Sequence, residues 1–276
     1  MLPVLQIGGL AIPLPPLVLL LSLYIALDVA QRQAAKRGLD GDKAYNLAFN
    51  SLLIGLLAAR LSFVLVNLKD YLAIRPVGRM IVSFVTPLLG SEILLVGLVV
   101  GLGTAIYYIR RYDFDWRRAA DAYAIGAAVF VTGLWLANLV SGDAYGVETG
   151  LPWGIDLWGA RRHPTQLYNL VVGGGVLALL LRIQPAPARK KKKKQKAFHG
   201  KRKRLGPVAP YDGFAALLFV ALTSLTILVL EPLRADSVVI AGGYRAWQIG
   251  ALVALVASLA LVASQAPARA ERQPTA

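Results

Sequence analysis

Seven apolar segments, each about long enough to cross a lipid bilayer, constrain this chain of 276 residues more than any other feature. They are roughly Ile12–Ala30, Ala44–Val66, Leu89–Ile109, Ala119–Val140, Thr165–Leu181, Phe214–Leu230 and Trp247–Ala263. A spanning helix needs about 20 mostly apolar residues, and a chain crossing lipid must satisfy its backbone polar groups internally. The expected fold is therefore all-α: a polytopic membrane protein of about seven transmembrane helices, forming a single integral membrane domain over residues 1–276. Composition agrees, with 57% of residues hydrophobic and only 16% charged, against about 45–50% and about 25% in soluble domains. The stretch Met80–Leu88 reads as an extra interfacial or re-entrant piece. The first apolar stretch lacks a basic leader and is followed by Gln31-Arg32-Gln33, so it is expected to remain as a span. No internal repeat of the transporter kind is visible.

The formal net charge of +15 first suggests nucleic acid, but its distribution suggests a membrane topology. Lys190 to Lys194 and Lys201 to Arg204 form two basic runs between apolar segments. No aromatic residues interleave with them as a base-stacking platform would require. The runs read instead as a cytoplasmic loop obeying the positive-inside rule, with anionic lipid headgroups as natural secondary partners. Most of the other basic residues fall on the same set of alternate loops: Arg32, Lys36, Arg37 and Lys43, then Arg110, Arg111, Arg117 and Arg118, then Arg269 and Arg272 in the tail. This asymmetry predicts an N-terminus outside and a C-terminus in the cytoplasm. It makes 141–165 an extracytoplasmic loop, 183–210 the basic cytoplasmic loop and 265–276 a cytoplasmic tail.

Polar residues within spans are costly and point to function. Counted from the cytoplasmic edge at about 1.5 Å per residue, Arg60, Glu92 and Asn138 all reach the outer end of their spans. Glu231 and Arg234 close the sixth span there, and Gln166, Tyr168 and Asn169 open the fifth. Only Asp28 and Asp121 sit at the inner end, where both read as helix caps near water. An ion path would string polar groups through the midplane, and the absence of such a string counts against a transporter.

The segment from Asn138 to Tyr168 carries the most information. It contains Gly142-Asp143-Ala144-Tyr145-Gly146, Leu151-Pro152-Trp153-Gly154 and Arg161-Arg162-His163-Pro164-Thr165-Gln166-Leu167-Tyr168. Its glycines permit a tight loop with unusual backbone angles. Two arginines beside a histidine make an anion clamp next to a base. Taken from its residues, this loop is built to handle an anionic headgroup. Two readings stand for His163: an acid or base, and a structural histidine fixing the loop against Pro164. Trp135 and Trp153 read as interfacial-belt residues.

These motifs resemble the prolipoprotein diacylglyceryl transferase family. Its signature of an asparagine, a Gly-acid-x-aromatic-Gly element, Leu-Pro-Trp-Gly and Arg-His-Pro-(Ser/Thr)-Gln-Leu-Tyr stands here in order from Asn138 to Tyr168. Ala59-Arg60-Leu61, Asp121-Ala122, Glu231-x-x-Arg234-x-Asp236 and Gln248 also match. The resemblance implies a transferase in the bacterial cytoplasmic (inner) membrane, acting at the outer leaflet. Such an enzyme takes diacylglyceryl from phosphatidylglycerol, attaches it to the lipobox cysteine of a lipoprotein precursor and releases glycerol phosphate. Catalytic roles fall on His163, Arg234 and Glu231, and substrate binding on Arg60, Asn138, Gly146, Arg162, Gln166 and Tyr168. Phosphatidylglycerol, precursor signal peptides and membrane lipids are the implied partners. No cofactor, metal or nucleic acid is expected, in keeping with no cysteine and only two histidines in the chain.

Several positions depart from the family pattern. Trp135 stands where the family has an arginine, Leu95-Val96-Gly97 replaces a His-Gly-Gly or Tyr-Gly-Gly element, and Pro15-Pro16 replaces a Tyr-Gly pair. Thr223 and Ile227 stand for a tyrosine and an arginine, and Asn169 for an acid. Exchanging arginine for tryptophan or isoleucine removes charge and bidentate phosphate donors. A second expectation is therefore a catalytically inactive relative that binds phospholipid or the lipobox peptide.

Overall fold

The computed structural model describes residues 4–8, 10–73, 91–185, 207–240 and 243–265. The basic runs at 190–194 and 201–204, the tail 266–276, the stretch 80–88 and the side chain of Glu92 lie outside the described residues. A short hairpin, β1 (Val4–Ile7) with β2 (Leu10–Pro13), leads into α1 (Leu14–Lys36). Then follow α2 (Gly41–Val66), the short α3 (Leu68–Ala73), α4 (Ser91–Arg111) and α5 (Trp116–Ser141). A second hairpin, β3 (Ile155–Leu157) with β4 (Ala160–Arg162), precedes α6 (Thr165–Arg182). The chain ends with α7 (Phe214–Leu230), a 3-10 turn at Glu231–Leu233, and α8 (Ala246–Gln265).

Six of these helices are long and apolar enough to cross a membrane: α1, α2, α5, α6, α7 with its 3-10 extension, and α8. The 21-residue α4 occupies the place of the remaining expected span, beside undescribed residues. Large apolar side chains stand exposed along the helices, among them Leu20, Leu56, Val99, Val171 and Val253. In water this surface would aggregate, whereas in lipid it faces its own solvent. The all-α polytopic membrane fold stands.

The chain divides into two compact units, 39–116 and 1–38 with 117–276. In the first, α2 and α4 meet through small residues. A Cβ added at Gly55 would lie 2.7 Å from the Gly97 carbonyl oxygen, and one at Gly97 would lie 2.8 Å from the Ala59 Cβ. Lipid offers no hydrophobic drive for helix pairing, so close backbone approach and dispersion must supply the attraction. Gly97 therefore has a packing duty in the Leu95-Val96-Gly97 stretch. Asp40 caps α2, its side chain accepting from the Asp42 and Lys43 amides at 3.1 Å each.

The second unit uses the same device between α1 and α5. A Cβ at Gly126 would lie 2.8 Å from the Ala26 carbonyl oxygen, and one at Gly133 would collide with Ser22. The Ser22 hydroxyl donates to the Val18 carbonyl, so it brings no unsatisfied group into the seam. A buried cluster of Ile125, Ala128, Leu180, Ile183, Ala209 and Ala215 joins α5, α6 and α7.

The α7 N-terminus has an unusual cap. Gly213 precedes it at φ +96 and offers no side chain. Asp121 of α5 replaces the missing cap: its Oδ2 accepts from the Gly213 amide at 2.8 Å and its Oδ1 from the Ala216 amide at 2.9 Å. Asp121 thus caps a helix, but the helix is not its own, and at 3% exposure it is buried rather than near water. Arg37 is buried nearby, its Nη1 donating to the Gln33 carbonyl at 3.1 Å and Oε1 at 2.8 Å. Burial pushes the Arg37 guanidinium down from its ordinary value, and the charges of Asp121 and Asp212 oppose that shift. Asp28 is the simpler case, a partly exposed carboxylate paired with Arg32 at 2.9 Å.

Replacing Asp121 by alanine leaves two part-buried amides without their acceptor, which should cost about 2 kcal/mol. Thermal unfolding of the purified protein in detergent should show Asp121→Ala melting well below wild type, with Asp121→Asn between them. A wild-type melting temperature for Asp121→Ala would refute the assigned role.

Candidate active site

The site region begins where α5 stops. Gly142 takes φ +86 and its amide returns to the Asn138 carbonyl at 2.9 Å, turning the chain out of the helix. The next residues are pinned from α6: Thr165 Oγ1 donates to the Ala144 carbonyl at 2.6 Å, and Gln166 Nε2 donates to the Asp143 carbonyl at 2.8 Å. Both side chains are fully buried, and Gln166 Oε1 has no partner among the described residues. Trp158, itself at φ +55, donates its indole N–H to the Gly142 carbonyl at 3.1 Å.

Residues 145–149 then run as the middle strand of a short antiparallel ladder. On one side the Val147 amide donates to the Leu233 carbonyl at 2.8 Å and the Ala235 amide to the Tyr145 carbonyl at 2.9 Å. On the other, the Thr149 amide donates to the Arg161 carbonyl at 2.9 Å and the His163 amide to the Val147 carbonyl at 3.0 Å. Gly146 pairs with Arg234 across the first edge, and Glu148 with Arg162 across the second. The backbones carrying His163 and Arg234 are thus two strand spacings, about 10 Å, apart. Gly146 has to be glycine, because a Cβ there would collide with the carbonyl and Cβ of His163.

Beneath the ladder lies a cavity of about 490 Å³ between α5, α6, α7 and the start of α8. Asn138, Asn169, Glu231 and Arg234 supply polar groups, Trp135 and Trp247 supply aromatic faces, and Thr223 and Ile227 stand on the α7 wall. Arg234 Nη1 contacts Glu231 Oε2 at 3.2 Å, and its Nη2 contacts Asp236 Oδ1 at 3.0 Å. Its guanidinium lies over the Trp135 ring at 6.0 Å. Glu231 is 4% exposed, and its Oε1 has no partner among the described residues. Arg245 holds the backbone of this segment, donating to the Arg234 carbonyl at 2.6 Å and the Pro232 carbonyl at 3.3 Å.

The nine residues anticipated from sequence separate into groups. Asn138, Glu231 and Arg234 share the cavity wall. His163 and Tyr168 form a second cluster: the His163 Nδ1 lies 3.4 Å from the Tyr168 hydroxyl, which accepts from the Trp153 indole at 2.8 Å. Gly146 and Gln166 hold the loop together. Arg162 lies over the Tyr145 ring at 5.2 Å, reaches Glu148 at 3.5 Å and donates to the Leu157 carbonyl at 3.1 Å. Arg60 belongs to the unit 39–116, its guanidinium 5.3 Å from the Phe63 ring centroid. Trp135 faces the cavity and Arg234 rather than serving as a belt residue. Arg245 and Trp247 were missed by sequence reasoning, and their only signal was proximity to Gln248 at the start of the last span.

Comparison with known proteins follows the motifs. The family described as prolipoprotein diacylglyceryl transferase matches residues 3–264. The phosphatidylglycerol–prolipoprotein diacylglyceryl transferase of Clostridioides difficile (strain 630) is 25% identical over 233 residues, spanning 84% of this chain and 82% of the relative. The enzyme of the same name from Thermotoga maritima is 28% identical over 286 aligned residues, 96% of this chain and 86% of the relative. That from Geobacter sulfurreducens is 34% identical over 177 residues, 60% and 64% of the two chains. Four positions that depart from the family pattern, Trp135, Asn169, Thr223 and Ile227, lie together on the cavity wall.

A methyl group at Gly146 cannot fit against His163 without parting the ladder. Gly146→Ala should open residues 141–165 to protease in membrane vesicles, with cleavage at least several-fold faster than wild type. An unchanged cleavage rate would show that the ladder tolerates the added carbon.

Proposed function

The chain belongs to the prolipoprotein diacylglyceryl transferase family, and from that premise we propose that it transfers diacylglyceryl from phosphatidylglycerol to the cysteine thiol of a lipoprotein precursor. In this reaction the sulfur attacks the glyceryl carbon and forms a thioether. The carbon–oxygen bond to phosphate breaks, its electron pair leaves on oxygen as glycerol phosphate, and the thiol proton passes to a base. The nucleophile comes with the substrate, in keeping with a chain that has no cysteine. The observation that carries the reading is the gathering of Asn138, Glu231 and Arg234 in one cavity under a loop bearing the family signature.

Each proposed role follows from residue chemistry. Arg234 meets the phosphate and stabilises the charge that develops as it departs. Glu231 orients Arg234 through one oxygen, and its free Oε1 accepts a headgroup hydroxyl. Asn138 adds an amide to the same rim. His163 takes the thiol proton, with Tyr168 fixing the ring. Gly146 and Gln166 shape the loop that carries His163, and Arg162 adds positive potential beside it. Arg60 enters the proposal through its family motif.

One observation favours a second reading, a relative that binds lipid or peptide without turning it over. Arg234 is already paired with Glu231 and Asp236, so on the cavity wall its charge and that of Glu231 cancel. Phosphatidylglycerol would have to draw Arg234 away from these carboxylates. Lipid retained by the purified protein without transfer would select this reading.

The basic residues on alternate loops support a bacterial cytoplasmic membrane location with the site at the outer leaflet and the C-terminus inside. Single cysteines at Ser141 and Gln195 should label from outside and inside the cell respectively, and outside labelling at Gln195 would reverse the topology. For activity, the chain should restore the diacylglyceryl mass of a lipoprotein precursor in cells depleted of their own transferase. His163→Asn and Arg234→Ala should each lower the rate by about a hundredfold or more. A well-inserted wild-type chain that adds no mass would end the enzymatic reading, and full activity in both variants would end the residue assignment.

A further inference from the structure

The cavity extends well below its polar rim. Along α5 its lining runs from Asn138 through Trp135 and Val131 to Ala128, a descent of about 15 Å at 1.5 Å per residue. Along α7 it runs from Glu231 to Phe219, about 18 Å. All the charged lining residues are at the rim. Thr226, lower down, donates its hydroxyl to the Leu222 carbonyl at 2.8 Å, one turn back in its own helix. Thr223, about a turn further down, is the other polar residue there, and the rest of the lower wall is apolar. It ends where Ala128, Val176 and Phe219 pack against the buried Ile125 and Leu180. Small residues make the room there: Ala128 on α5, and Gly173 on α6, where an added Cβ would meet nothing closer than Thr132 Oγ1 at 3.4 Å.

We propose that this lower arm holds one acyl chain of the donor phospholipid, and that Ala128 and Gly173 set the chain length the protein accepts. The inference rests on the reading of the rim as a phospholipid headgroup site. The rim complements such a headgroup: a cation, Arg234, meets the phosphate, and a buried carboxylate oxygen with no partner among the described residues, Glu231 Oε1, meets its hydroxyl. An amphiphile anchored there directs its tail away from water, down the arm. A peptide segment would bring backbone polar groups into a wall with few partners for them. The closed floor distinguishes the arm from the open lipid surface: a chain that is too long meets Ile125 and Leu180 and must bend back.

The test uses the full chain in lipid vesicles with two photoreactive phosphatidylglycerols, one bearing a diazirine at the end of an acyl chain and one beside the acyl carboxyl. The terminal probe should mark Ala128, Gly173 and Phe219, and the carboxyl-proximal probe should mark Trp135 and Ile227. Adducts confined to the outward-facing Leu136 and Val171 would overturn the proposal. Ala128→Leu and Gly173→Leu fill the floor from two helices, so failure of one variant to fold leaves the other informative. Each should abolish the deep adducts. Where transfer is measured, each should lower kcat/KM for donors with long acyl chains by about tenfold or more and leave short-chain donors within about twofold, since a methylene without a pocket costs this much. An equal fall at all lengths would overturn the proposal. If the wild-type chain binds lipid but transfers none, the enzymatic reading fails, and the positions of the adducts still decide this one.

Discussion

The carboxylate of Asp121 joins two helices at a place where the membrane permits no loose ends. Its oxygens satisfy the first amides of α7, groups that water would otherwise have to reach. The bond also sets an axial register. From Asp121 to Asn138 along α5, and from Gly213 to Glu231 along α7, the rise is about the same, some 25 Å. The two helices run in the same direction from a shared origin, so the polar residues at their far ends arrive at the same level. The cavity between them depends on that coincidence, because a helix shifted by one turn would place Glu231 and Arg234 against apolar neighbours.

Much of this was legible in the sequence, and the parts that were not have a common cause. Segment length and apolarity located the spans, since a bilayer fixes both. That Asn138, Glu231 and Arg234 stand at the same end of their spans followed from counting. The direction each helix face points did not, because in a span nearly every face is apolar and the helical period carries little contrast. Trp135 was therefore read as a belt residue although it lies beneath Arg234. Gly146 was read as a binding position although its visible duty is to admit His163. Arg162 and Arg234 were both expected at the site, yet of the two Arg234 lines the cavity, while Arg162 is bonded within its own loop. Counting residues gives depth, but it cannot tell which of two arginines faces a shared space.

The departures from the family pattern look scattered along the chain. In three dimensions Trp135, Asn169, Thr223 and Ile227 occupy one wall, so they read as a single change of environment. That wall presents aromatic, amide, hydroxyl and aliphatic groups where the resemblance led us to expect two arginines, a tyrosine and an acid. The remaining cation is steadied by Glu231, by Asp236 and by the face of Trp135. A guanidinium so held is well oriented, and its charge is already matched by the two carboxylates.

The ladder through residues 145–149 has a consequence for how the protein is made. Its middle strand leaves the ribosome well before residues 233–235, which supply one of its edges, and a chain emerging at the membrane folds from its N-terminal end. Until α7 has inserted and turned at Glu231, the strand has one neighbour, and the histidine loop has nothing beneath it. The site thus comes into being late in biogenesis, when most of the chain is already embedded. A partly inserted chain has neither the closed loop nor the complete cavity below it.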